Sequence, residues 1–316
     1  MSKTPSERAR AARAARQNTN TTQATPSSGF TRFRRSHPIL GALVPVGLVL
    51  AALVTLVVIK TTGGSANTQP AASKVVAGTT SAGSGNGTTA LPSGVLAAVT
   101  SISSATFDAI GSPSSVTAPT ATAKGTAVLD ASDGKPEILY VGAEFCPYCA
   151  AERWALVVAL SRFGTFSGLR ATHSSDSDIY PDTKTFSFYG STYTSPYFDF
   201  VPVEEQTNQV VDGNYTTLQT PTSSESALLT KYDAAPYTSE PGSIPFLDIA
   251  NKYVSIGASY TPEVLAGLSM NAIAQQLNDK NSVVATAIDG AANQITAAIT
   301  AATGAQPTTA TTGTAS

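Results

Sequence analysis

Cys146 and Cys149 are the only cysteines in this chain of 316 residues, and two residues separate them in Cys146-Pro147-Tyr148-Cys149. With no other thiol present, both are set where they can bond to each other, which points to thiol–disulfide exchange. The attacking species in that exchange is the thiolate, and an ordinary cysteine, with a pKa of about 8.5, is mostly protonated at neutral pH. Glu137-Ile-Leu-Tyr-Val-Gly-Ala143 reads as a buried strand, and Ala150 to Leu160 reads as a helix. The pair therefore falls on the first turn of a helix that follows a strand. Unpaired N–H groups and a partial positive charge at such a terminus stabilise a thiolate. Pro147 suits the first turn, where its missing N–H costs nothing. Cys146, nearer the terminus, is the expected nucleophile. Cys149, one turn along, is the expected resolving thiol that attacks a mixed disulfide on Cys146.

Other uses of the pair are weaker. A zinc site needs two further ligands, and only His37 and His173 exist, with His37 beside a long apolar segment. A purely structural disulfide would close a very short loop and gain little entropy. A reduced, inert pair conflicts with the oxidising compartment argued below. Two thiolates also suit Cu(I), but Met1 and Met270 are the few other soft ligands. Glu144 and Glu152 flank the motif. Either relays a proton to the resolving thiol if it lies within hydrogen-bond reach, or stands as a solvated carboxylate. Trp154 is expected to pack the helix on the sheet, and His173 to be a structural histidine.

Ile39 to Ile59 is an uncharged apolar stretch of 21 residues, long enough to cross a bilayer as a helix. Gly41 and Pro45 are tolerated there. Lys3, Arg8, Arg10, Arg13, Arg16, Arg32, Arg34 and Arg35 precede it against one acid, Glu7. The positive-inside rule then places residues 1–38 in the cytoplasm and everything after Lys60 outside the cell membrane. A cleavable signal peptide is the competing reading, but its apolar core usually runs roughly 7–15 residues and starts earlier. From Lys60 onward 11 basic residues face 20 acidic ones, and no basic patch interleaved with aromatics suggests nucleic acid. The basic arm is accounted for as a topology signal in contact with anionic lipid. Asn86-Gly-Thr and Asn214-Tyr-Thr fit the glycosylation sequon, a pattern with a high chance rate.

Residues 60–90 read as a flexible Gly/Ser/Thr/Ala tether. Residues 91–124 read as a short helix ending at Gly111 and a loop. Residues 125–302 make one domain of ordinary size, and 303–316 a disordered tail. Within the domain, Leu169–Ser174 is the expected next strand, and 185–189 and 197–203 alternate like strands. A helix is expected over Ser223–Lys231, a hairpin over 244–249 and 252–256 around Ala250-Asn251, a helix opened by Thr261-Pro262, and an Ala-rich helix over 282–302.

That order of elements resembles the thioredoxin-like superfamily across about 125–280, and the tetrad resembles the glutaredoxin form of its active site. The stretch Tyr140-Val-Gly-Ala-Glu-Phe-Cys-Pro-Tyr-Cys-Ala-Ala-Glu-Arg-Trp154, with Ser161-Arg-Phe-Gly-Thr-Phe166 and Ala171-Thr-His-Ser-Ser175, is similar to something narrower. It resembles an uncharacterised prokaryotic family of membrane-anchored thioredoxin-like proteins, domain of unknown function 929. The resemblance implies an α/β three-layer domain: a central mixed sheet, helices on both faces, and an insertion after the second strand. It sits behind one N-terminal transmembrane helix. A redox-active cysteine pair serves in place of any cofactor or metal. It further implies a cis-proline at Pro245 opposite the pair, exposing the main chain of Ile244 for strand-like pairing with a substrate peptide. Pro147 and Tyr148 complete that surface. The bland alternative is a trans proline opening an edge strand. Phe145 stands where thioredoxins commonly carry tryptophan. The insertion, about 176–220, carries Tyr180, Phe186, Phe188, Tyr189, Tyr193, Tyr197 and Phe198. These either form a substrate groove or simply cover an extended sheet.

The expected function is a membrane-anchored extracytoplasmic thiol–disulfide oxidoreductase. Its partners would be cysteine-containing extracytoplasmic proteins and a membrane or extracytoplasmic electron partner. The alternatives are a non-catalytic, membrane-tethered binding protein on the same scaffold and a Cu(I)-handling protein.

Overall fold

The computed structural model describes residues 87–308. The basic arm 1–38, the apolar stretch 39–59, the tether up to residue 86, the Asn86 sequon and the chain beyond 308 lie outside the described residues. Among the described residues no helix is long and apolar enough to cross a membrane.

The centre is a five-stranded mixed sheet of β1 (Thr120–Ala121), β2 (Glu137–Gly142), β3 (Asp199–Glu204), β4 (Phe246–Ile249) and β5 (Tyr253–Ile256), ordered β1-β5-β4-β2-β3. β2 and β3 run parallel, in register from Glu137 opposite Asp199 to Gly142 opposite Glu204. β4 pairs antiparallel with both β2 and β5. Side chains alternate across a strand, and here both sets are buried. Ile138, Tyr140, Phe200, Leu247 and Ile249 enter one core, while Leu139, Val141, Val203, Phe246 and Val254 enter another. The tight turn between β4 and β5 is Ala250-Asn251, both with positive φ (53° and 58°), the geometry that joins twisted antiparallel strands.

Helices cover both faces. α1 (Pro147–Leu160) and α3 (Val283–Thr303) contribute Trp154, Leu156, Ile288 and Ile295 to the first core. α2 (Ser223–Tyr232) lays Leu228, Leu229 and Tyr232 on the second. α1 is apolar almost all round, as a helix between a sheet and another helix must be. α2 opens on a capping box formed by Thr222 and Glu225. Ser282 caps α3, and Gly304, at φ 74°, closes it in the left-handed conformation favoured at helix ends. Gly290 lets α3 pass close to the loop at Pro113, whose side chain would lie 2.8 Å from any Cβ.

Four sequence expectations change. The strand expected in Leu169–Ser174 is present at Arg170–His173, but it lies in a separate three-stranded sheet, between Thr89–Ala90 and Lys184–Ser187, and not beside β2. A parallel strand buried on both faces must be apolar, and Phe200-Val-Pro-Val203 meets that demand where Arg170-Ala-Thr-His173 does not. The insertion therefore precedes the second strand of the central sheet as well as following it. The helix expected over 91–111 is two helices, Val95–Thr100 and Ser104–Ile110, because Ser103 caps the second through the Thr106 N–H. The helix opened by Thr261 ends after the 3-10 turn Pro262–Leu265. Gly267, at φ 70°, then turns the chain, and Ser269 caps the short helix Met270–Ala274. Finally, the tail packs back at least to Thr308, whose N–H donates to the Arg162 carbonyl (2.7 Å).

Asp289 of α3 is fully buried, and neither carboxyl oxygen has a hydrogen-bond partner. Burial pushes this carboxyl up to about 8, against the nearby charge of Arg162. The unfolded chain releases that proton first, so the stability it contributes is present below about pH 4 and is lost as pH rises towards 8. The loss is about 1.4 kcal/mol per pH unit within that window. Thermal denaturation at pH 6, 7 and 8 should therefore show a steeper fall in Tm for the parent than for Asp289→Asn. Parallel slopes would contradict this assignment.

Candidate functional site

The site forms where β2 ends and α1 begins. Cys146 is the N-cap of α1, with extended backbone (φ −80°, ψ 123°) and Pro147 at the first turn. Its sulfur accepts from the Cys149 N–H at 3.5 Å, and its thiol donates to the Ile244 carbonyl at 3.8 Å. Both cysteines are free thiols; Cys146 is 7% exposed and Cys149 wholly buried. The two are electrostatically unlike. A hydrogen bond from the Cys149 thiol holds Cys146 below its ordinary value. Burial opposes the shift, while the backbone N–H groups of Cys149 and Tyr148 and the charge of Arg153 support it. Burial, followed by the hydrogen bond and charge of Cys146, pushes Cys149 well above its ordinary value.

Behind the cysteines lies a buried ion pair. Arg153 of α1 binds Glu204 of β3 in a two-pronged contact, Nε to Oε1 at 2.8 Å and Nη2 to Oε2 at 2.6 Å. Both side chains are fully buried. The Tyr140 hydroxyl, Arg153 Nη1 and Glu144 Oε2 are buried with no partner. Glu144 is not solvated: its Oε1 accepts from Ser187 Oγ at 2.6 Å, and burial raises its carboxyl to about 7. Glu152 is buried too and is raised to about 7 by burial, but both its oxygens accept from Ser259, from the N–H at 2.7 Å and Oγ at 3.1 Å. It ties α1 to the chain after β5.

Opposite Cys146, the Ile244–Pro245 bond is cis. Ile244 and Phe145 border a cleft that continues over Val141, Leu229, Phe246 and Ile256. The mouth of the site is aromatic. Phe145 stacks on Tyr215 at 4.2 Å with the rings 2° from parallel, and Tyr148 meets Tyr180 edge-on at 6.0 Å. The Tyr215 hydroxyl is bonded to Ser175 Oγ at 2.7 Å. The insertion aromatics thus divide. Tyr180 reaches the site, whereas Phe186, Phe188 and Phe198 are buried in the first core, with Tyr193 packed against it. Tyr189 and Tyr197 are partly exposed. Trp154 packs in the core and donates to the Lys184 carbonyl at 2.9 Å. His173 Nδ1 lies 2.8 Å from the Ser174 carbonyl and 3.1 Å from Asp182. Among the described residues, no group of three or more His, Cys, Asp or Glu side chains is placed to share an ion.

A family model described as Domain of unknown function (DUF929) matches residues 128–301, more than half of the chain. The chain belongs to the DUF929 family. The DUF929 match takes in β2 to β5, both cysteines, the Arg153–Glu204 pair and all of α3 except its last two residues. No curated protein and no solved structure matches the chain.

Sequence reasoning missed Tyr140, Arg153, Glu204 and Tyr215. Arg153 was open to detection, because a single cation stands inside the apolar run from Ala150 to Leu160 beside the cysteine motif. Its partner is 51 residues away, which no local pattern reveals. Removing one member of a buried pair leaves an uncompensated charge and costs about 3–5 kcal/mol. Urea denaturation should show that loss for Arg153→Met and recover most of it in Arg153→Met/Glu204→Leu. A double variant as unstable as the sum of the two single ones would show that the residues are not coupled.

Proposed function

We propose that this DUF929 protein is a thioredoxin-like thiol–disulfide oxidoreductase, anchored in the cell membrane by residues 39–59 with its catalytic domain outside the cytoplasm. The observation that carries the reading is the asymmetry of the pair. Cys146 sits at a helix N-terminus with its thiolate favoured, while Cys149 sits buried behind it with its thiolate disfavoured. A nucleophile and a resolving thiol need that division of labour. The sheet order β5-β4-β2-β3, with β2 and β3 parallel and Ile244-Pro245 ahead of β4, supports the thioredoxin-like reading.

In the proposed cycle the Cys146 thiolate attacks a client disulfide and one client sulfur leaves as thiolate; Cys149 then attacks Cys146 in the mixed disulfide, which frees the second client thiolate and leaves the pair oxidised. In the opposite direction a client thiolate attacks the oxidised pair at Cys146, Cys149 leaves as thiolate, and a second client thiol releases Cys146. The Ile244 carbonyl is within reach of the Cys146 sulfur and receives the N–H of an extended client segment. Pro147, Tyr148 and Pro245 line the approach. The cleft beyond Ile244 accepts an apolar client side chain. Of the two flanking carboxyls, Glu144 is the one with an unengaged oxygen and a value near neutrality, which suits a proton relay. An electron partner in or outside the membrane resets the pair.

Cys149→Ala should trap disulfide-linked client adducts in intact cells, resolved as bands that collapse on reduction. Cys146→Ser should trap none. Folded Cys149→Ala protein that accumulates no adduct would sink the oxidoreductase reading and leave the tethered binding scaffold.

A further inference from the structure

We propose that Tyr140 and Arg153 form a thiolate-stabilising pocket for Cys149, holding the charge its sulfur acquires whenever the disulfide opens. The inference rests on the oxidoreductase reading and adds the groups that set how readily Cys149 leaves and returns.

Tyr140 is fully buried in β2, and its hydroxyl has no partner. Phenylalanine would fill the same space without stranding a polar group, so the unpaired hydroxyl calls for an explanation. Its position supplies one. A Cβ on Gly142 would clash with the Tyr140 hydroxyl and lie 3.1 Å from Cys149 Sγ. The hydroxyl and the sulfur therefore share the space that the missing side chain leaves open. Arg153 follows Cys149 by four residues, one turn of α1, and its Nη1 is a second buried donor without a partner. Glu204 fixes the guanidinium through its other two nitrogens. Burial holds the Tyr140 phenol well above its ordinary value, so it stays a protonated donor across the physiological range. A thiol gives these donors little to bind; a thiolate accepts from both. Interactions present only once charge has developed are those that accelerate a step.

The electron count is closed. When a client thiolate attacks Cys146 Sγ of the oxidised pair, a client–Cys146 disulfide forms, the Cys146–Cys149 bond breaks, and the electron pair remains on Cys149 Sγ. In the reverse step the Cys149 thiolate attacks Cys146 Sγ, and the client departs as thiolate. Neither direction consumes a proton or an outside oxidant, and the pocket holds the same charge in both.

The test is Tyr140→Phe, which deletes only the unpartnered hydroxyl and should fold at least as stably as the parent. In a Cys146→Ser background the thiolate absorbance of Cys149 is followed against pH. Tyr140→Phe should cut the Cys149 thiolate fraction at a given pH about tenfold. In the two-cysteine protein it should slow release of a small-thiol adduct from Cys146 by about threefold, because the less stabilised thiolate is scarcer but more nucleophilic. An unchanged or increased thiolate fraction in the folded variant would overturn the proposal. The titration reads Cys149 by itself, so it decides the matter even if no client is ever trapped.

Discussion

The Arg153–Glu204 ion pair is the interaction on which the rest of the site depends. It fastens α1, which carries both cysteines, to β3, the strand parallel to the one that delivers them. Two charges taken wholly out of water lose their hydration, and their attraction offsets that loss only when geometry and hydrogen bonding are good. The two-pronged contact supplies the geometry. It also leaves a cation under Cys149, where it favours negative charge on either sulfur. The pair thus fixes the helix and sets the field at its N-terminus.

Geometry built around this pair separates the cysteines. Cys146 is capped by backbone N–H groups and contacts the Ile244 carbonyl at the edge of the cleft, while Cys149 is wholly buried among Ala143 and Phe145. Two identical side chains three residues apart acquire different chemistry because one lies at the helix terminus and the other inside the wall. The aromatic mouth adds a constraint. Phe145 stacks on Tyr215 and Tyr148 meets Tyr180 edge-on, so both residues that flank Cys146–Pro147 are held by aromatic partners from the insertion.

The sequence exposed the parts of this arrangement that rest on local pattern. The strand–cysteine–helix junction, α2, the Ala250-Asn251 hairpin and α3 all follow from propensity, caps and turn residues within a few positions. Long-range pairing was not legible. Nothing in Leu169–Ser174 says that it leaves the central sheet, and only burial on both faces of Phe200–Val203 shows which segment takes its place. Glu144 and Glu152 looked alike as flanking acids, yet Ser259 engages one while the other keeps an oxygen without a partner. That difference lies in residues about 40 to 110 positions away. The split of the Thr261 helix turns on Gly267 and Ser269, whose signals were present but competed with an apolar periodicity that suggested continuity.

The division of labour between the cysteines is the central claim, and site-resolved alkylation tests it most directly. The reduced protein is treated briefly with an alkylating agent across a pH series, and each cysteine is read separately by peptide mass spectrometry. The account predicts that Cys146 reacts at pH values below those of an ordinary thiol, while Cys149 stays protected until well above them. Parallel modification of both cysteines, with one midpoint at the ordinary thiol value, would contradict it.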